Sequence, residues 1–249
     1  MKTVGIAIVA LIATLQIATA QINFKKAAGN LNKTVKDVTG SNVPLTNEEI
    51  GNALKEALNV GVTKGVEKLS AVDGYYKSAL YKILIPADMK NVVSRLKNLP
   101  GFQNIETDIM EKMNRGAEKA ATKATPIFLN AIKSLTFQDA MNLLMGEKNA
   151  ATSFLNRTTN QQLYNEFNPI IKSSLAEVGC TKYWSDCVSA YNKLPLVKKA
   201  NPDLGDYVTK EALNGLFGMV AEKELEIRSN PALRTSDLLK KVFAKQDKK

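Results

Sequence analysis

TNEEIGNALKEALNVGVTKGVEKL, residues 46–69, begins with a reciprocal cap and continues as one buried helical stripe. Thr46 and Glu49 stand at the spacing where each side chain satisfies a backbone N–H left free in the first turn. Ile50, Leu54, Leu58, Val62, Val66 and Leu69 then recur at three- and four-residue steps, which makes one face of a helix apolar. Ala57, Gly61 and Gly65 run beside that stripe. Glycine in a helix costs up to about 1 kcal/mol relative to alanine, so this flat ridge predicts a neighbouring helix at close range.

The same period continues downstream. Asp73-Gly74 ends the first helix, and Pro86 suits the first turn of the next, which should run to about Asn98 with Val92, Val93 and Leu96 inward before Pro100-Gly101. From Gln103 a long helix carries Ile105, Ile109 and Met113. Its second half, with Gly116, Ala117, Ala120 and Ala124, is small enough to receive the Gly61–Gly65 ridge, and Pro126 kinks or restarts it. Thr136 with Asp139 caps a short helix ending at Gly146. Residues 148–178 give one or two helices interrupted near Pro169, and 182–193 another with Tyr183, Trp184, Val188 and Tyr191. The last long helix covers about 206–229, and Thr235-Ser236 starts a terminal one with Leu238, Leu239, Val242 and Phe243. Period-two runs flanked by hairpin turns do not occur. The expectation is an all-α, single-domain bundle of about 8–10 helices without significant β-sheet, over residues 45–244.

Residues 1–20 read as a secretory signal peptide. Lys2 is its positive start, Val4 to Leu15 is almost wholly apolar, and Ala18-Thr19-Ala20 fits small-x-small cleavage before Gln21. The apolar run falls short of the roughly 20 residues a membrane span needs; retention as an anchor is the alternative. No later segment is apolar enough to span a bilayer, so the mature chain is expected to be periplasmic or secreted. Residues 21–44, with Gly29, Gly40 and Pro44 among polar residues, read as a flexible lead-in, and 245–249 as a basic tail.

The chain has 249 residues, 45% apolar and 23% charged, with 34 basic against 24 acidic side chains and a formal charge of +10. Only Lys2 lies in the leader, leaving +9 after cleavage. That surplus favours acidic partners, but the charges are scattered, as on an ordinary solvated surface. There is no histidine. His-dependent triads and His-built zinc sites are excluded. No Gly-rich phosphate loop, Cys-x-x-Cys pair or acidic calcium loop is present, and neither a metal nor a cofactor is expected. Cys180 and Cys187 are the only cysteines. On one helix, seven residues at 1.5 Å rise separate them by about 10 Å, beyond the roughly 7 Å a disulfide tolerates. A Cys180–Cys187 bridge requires Cys180 to leave the helix and fold back.

Several segments share a pattern when read in order: Leu45-Thr46 through Glu56-Ala57-Leu58, Met113-Asn114-Arg115, Glu118-Lys119-Ala120-Ala121, Pro126-Ile127-Phe128, Leu135-Thr136-Phe137, Phe167-Asn168-Pro169-Ile170-Ile171, Gly215-Leu216-Phe217, and Arg234-Thr235-Ser236-Asp237-Leu238-Leu239. Together they resemble the bacterial domain-of-unknown-function family 4197, over roughly residues 45–244. The resemblance implies an exported, helical, bacterial protein and supplies no reaction.

Candidate chemistry rests on carboxylates and arginines. Glu111, Arg115, Glu118 and Thr122 share one helical face, where opposite charges contribute only about 0.2–0.5 kcal/mol per pair. A solvated charge lattice is the plain reading. The functional one is an Arg115 clamp for an anionic group, with Asn114 as hydrogen-bonding partner. Glu224 stands in the apolar stripe Leu213, Phe217, Val220, Ile227, where a carboxylate is costly unless paired. Arg228 is placed to pair with it, and Arg234 to join. Either this is a structural ion pair, or a polar cavity in which Glu224 does acid work. Tyr75, Tyr76 and Tyr81, with Lys77 and Lys82, mix rings and basic groups as a contact surface would, though one turn of partly exposed tyrosines is the commoner arrangement.

These features favour a non-enzymatic binding or structural module of the bacterial envelope, contacting an envelope protein, anionic lipid or glycan through a groove between helices. Nucleic acid fits poorly with export. The alternatives are a carboxylate-dependent enzyme on an envelope polymer, with Glu118 and Glu224 as its acids in one open cleft, and a carrier with a closed apolar cavity.

Overall fold

The computed structural model describes residues 46–243, apart from 99, 101–102, 178–180, 182–183, 186–187, 190–191, 194, 197–198, 200, 202 and 235, and the side chains of 88, 91, 92, 95 and 96. The leader, lead-in, basic tail, Cys180, Cys187 and half of the 182–193 segment lie outside these residues, as do the side chains of Val92 and Leu96.

Among the described residues the elements are α1 (Asn47–Ser70), α2 (Ala87–Leu96), α3 (Ile105–Ala121), α4 (Ala124–Lys133), α5 (Phe137–Met145), α6 (Ala150–Ala176), α7 (Leu204–Ser229), a 3-10 turn (Pro231–Leu233) and α8 (Asp237–Phe243). No strand occurs among them, so the all-α expectation holds. These elements all belong to one compact unit. Both capping boxes form: Thr46 and Glu49 close the start of α1, and Thr136 and Asp139 the start of α5.

Helix α7 is central. It packs on α1, α3 and α6, and α6 packs in turn on α3 and α4. Pairings such as Thr152 with Glu224 and Lys172 with Asp203 run in opposite directions along α6 and α7, so these two helices are antiparallel. The main core gathers Val66, Leu69, Met113, Phe128, Leu163, Phe167, Leu216 and Phe217, with Phe128 and Phe217 edge-to-face at 5.7 Å. Each fully buried side chain of this kind contributes about 1.5–3 kcal/mol. A second cluster joins the first half of α1, through Ile50 and Leu54, to Leu144 of α5 and to Leu238, Leu239, Val242 and Phe243 of α8.

Two packing expectations are corrected. The Gly61–Gly65 ridge receives α7, not the small-residue half of α3: a Cβ on Gly61 would stand 3.2 Å from Ile227 Cδ1, and one on Gly65 3.2 Å from Met219 Cγ. The small face of α3 takes α6 instead, with Gly116 against Ile171 and Ser174. Helix α6 also runs unbroken through Pro169. Proline lacks the N–H that would bond the carbonyl one turn back. Pro169 is exposed, so water can satisfy that carbonyl.

Candidate functional site

Glu224 and Arg228 lie one turn apart on the buried side of α7, with side chains only 6% and 8% exposed, and meet at 2.7 Å. Glu224 accepts hydrogen bonds from the Ala151 and Thr152 N–H groups and from Thr152 Oγ1. Those N–H groups open α6, where a helix carries partial positive charge and free donors. Arg228 donates to the Leu143 and Leu144 carbonyls, which close α5 and leave acceptors free. Arg234 donates to the Ile227 and Arg228 carbonyls and stacks over Phe243. Every one of these groups holds a helix end.

Glu118 and Arg115 are spent in a similar way. Glu118 is buried and accepts from the Tyr75 and Tyr76 N–H groups and from Arg115. Arg115 reaches Asp73 as well, at 2.8 Å, and lies 3.5 Å from Glu111. Hydrogen bonds from Lys77 and then Arg115 hold the Asp73 carboxyl below its usual range. An anionic ligand at Arg115 would have to displace these carboxylates. Asn114 is fully buried and clasps the Ile83 backbone, its oxygen accepting from the Ile83 N–H and its amide donating to the Ile83 carbonyl.

The tyrosine segment folds as consecutive turns rather than a helix, and its rings are largely committed. Tyr75 is fully buried and donates to the Ala212 carbonyl. Tyr81 packs on Gly218 and donates to Glu222. Tyr76 lies between Lys82 and Arg115, at 4.6 and 5.1 Å from its ring centre.

Beside Glu224 the helices leave an apolar cavity of about 40 Å³ lined by residues such as Leu58, Leu144, Ile227 and Phe243. Ligand pockets run to about 300–1,000 Å³, so this space admits no lipid chain. Glu118 does not line it.

Two larger openings lie along the first half of α7 and were not singled out in the sequence. A cleft of about 380 Å³ is lined by Asn160, Gln161 and Tyr164 of α6 and by Asp206, Lys210, Leu213 and Asn214 of α7. A second, of about 230 Å³, is lined by Leu80, Tyr81, Lys82 and Ile83 opposite Glu211, Asn214 and Gly215. Asn214 lines both, so the two openings adjoin at that residue along α7, as the two parts of a trench. Burial pushes the Asp206 carboxyl up, but hydrogen bonds from Lys210, Tyr164 and Asn201 outweigh it and hold the group below its usual value. Tyr164 in turn is pushed up to about 12 by its bond to Asp206 and by burial. The one sequence signal for this site is Tyr207, Lys210, Glu211 and Asn214, a polar stripe at helical spacing on a mostly buried helix.

Among the described residues no group of His, Cys, Asp or Glu is arranged to hold a metal ion, and no helix is long and apolar enough to cross a membrane. In comparison with known proteins, the family described as "Protein of unknown function (DUF4197)" matches this chain over residues 44–244. No curated protein and no solved structure matches it.

Proposed function

We propose that this chain, which belongs to the DUF4197 family, is an exported, non-enzymatic binding module of the bacterial envelope that holds its ligand in the trench along α7. The observation that carries the reading is a division of labour among polar groups. Glu118 and Glu224 spend their oxygens on backbone N–H groups and arginines, so neither is an acid facing an open cleft. The polar side chains around Asn214 line open space of ligand size instead. The leader at residues 1–20 supports export.

Cell fractionation and N-terminal sequencing test the address. A periplasmic chain beginning at Gln21 is expected, and a cytoplasmic chain with its leader intact would sink this part of the reading. Binding is tested by passing residues 21–249 over an immobilised envelope fraction, beside a variant in which Asn214→Trp fills the trench. Retention of the native chain and loss of the variant are expected. Equal retention of both discards the trench.

A further inference from the structure

The trench also indicates what kind of ligand it takes. Its charged lining cancels, with Lys82 and Lys210 against Asp206 and Glu211, in a chain whose overall charge is +10. A site for a polyanion would concentrate that surplus; this one excludes it. Lys210 is further engaged by Asp206 at 2.8 Å.

Three carboxamides stand among the lining groups. Asn160 donates its amide to Asn156, and Gln161 to Asn165, each along its own helix. Asn214 directs its amide toward Glu211 at 3.5 Å. Each amide nitrogen thus spends one N–H on its own helix, which leaves its second N–H and its oxygen to offer a ligand. Three groups that both donate and accept suit a neutral ligand rich in hydroxyls, which do the same. Tyr164 and Tyr81, half-buried and one in each part of the trench, add some apolar ring surface to its lining.

Resting on the binding reading above, we propose that the trench takes an uncharged glycan strand, bound through its hydroxyl and amide groups to the carboxamides of Asn160, Gln161 and Asn214. An extended peptide is served less well. Strand addition to a free sheet edge is one main mode of peptide recognition, and among the described residues there is no strand to offer one.

The test uses residues 21–249 and defined probes: a tetramer of N-acetylglucosamine, a tetramer of glucose, and an uncharged extended peptide of equal length. Binding is followed by amide chemical-shift changes and by calorimetry. At least one saccharide should bind and shift Gln161, Lys210 and Asn214. Gln161→Ala should weaken it roughly three- to tenfold, as for loss of one hydrogen bond, and Asn214→Trp should abolish it while helical content and melting temperature stay unchanged. Saccharide binding that survives Asn214→Trp overturns the site. Binding of the peptide alone, or of no probe, overturns the ligand class. In that last case, loss of envelope retention in Asn214→Trp would leave the binding module standing, whereas equal retention would remove both.

Discussion

Glu224 and Arg228, one turn apart on α7, bind each other at 2.7 Å and together tie the end of α5 to the start of α6. The carboxylate meets the electropositive N-terminus of α6 and the guanidinium meets the electronegative C-terminus of α5, so each charge faces the helix dipole that stabilises it. Removing one member of a buried pair leaves an uncompensated charge and costs about 3–5 kcal/mol. Glu224→Gln keeps the shape, but its Nε2 would face donors from Thr152, Ala151 or Arg228. The urea midpoint should fall by an amount worth about 3 kcal/mol with the slope unchanged. A loss under about 1 kcal/mol would show that the pair is not holding these ends.

Gly215 and Gly61 should respond differently to alanine. A Cβ at Gly215 would stand 2.8 Å from Cε1 of Tyr75, a fully buried ring fixed by its bond to Ala212. At Gly61 the nearest atom is the free end of Ile227 at 3.2 Å. Gly215→Ala should therefore destabilise by about 2 kcal/mol through overpacking. At Gly61 the same change gains up to about 1 kcal/mol of helix propensity against a small shift of one methyl, and should be near neutral. Thermal melts of the two variants decide this, and equal melting temperatures would refute it.

What was legible in the sequence is local. The Thr46–Glu49 and Thr136–Asp139 boxes, the stripe from Ile50 to Leu69 and the pairing of Glu224 with Arg228 each depend on residues three or four apart, so spacing alone carries them. Which helix meets the Gly61–Gly65 ridge is a long-range fact. Both α3 and α7 have faces that fit, and only the whole packing selects Met219 and Ile227. The trench was missed because three distant segments build it and each looks like ordinary solvated surface. Tyr75 was misread because its burial depends on Gly215, far along the chain.

Asn114 is a clasp for the turn segment before α2. Both its amide groups bond the Ile83 backbone, so Asn114→Ala strands a buried donor and a buried acceptor at once. Each stranded group costs about 1–3 kcal/mol, and a total loss of roughly 2–6 kcal/mol is expected. Hydrogen exchange at the Ile83 amide should accelerate well beyond that at Leu163. Unchanged protection at Ile83 would mean that the clasp does not form.

The tyrosines set an alkaline limit on stability. Burial, with the Glu118 charge and Tyr81 adding to it, pushes the Tyr75 hydroxyl far above its ordinary 10.0. Tyr81 rises to about 12 through burial and its bond to Glu222, and Tyr164 also rises to about 12. A group whose pKa is raised on folding contributes stability that is fully present below its unfolded value and is lost as pH climbs toward the folded one. Stability should hold up to about pH 10 and then fall progressively through pH 12, because the unfolded chain releases these protons first. Absorbance at 295 nm followed against pH should show Tyr75 ionising only with the loss of helical circular dichroism. In Tyr75→Phe the alkaline decline should be shallower, although the variant starts about 1 kcal/mol lower for want of the Ala212 hydrogen bond. A Tyr75 that titrates near pH 10 while the helices stay intact would show that the ring is not buried beneath Gly215.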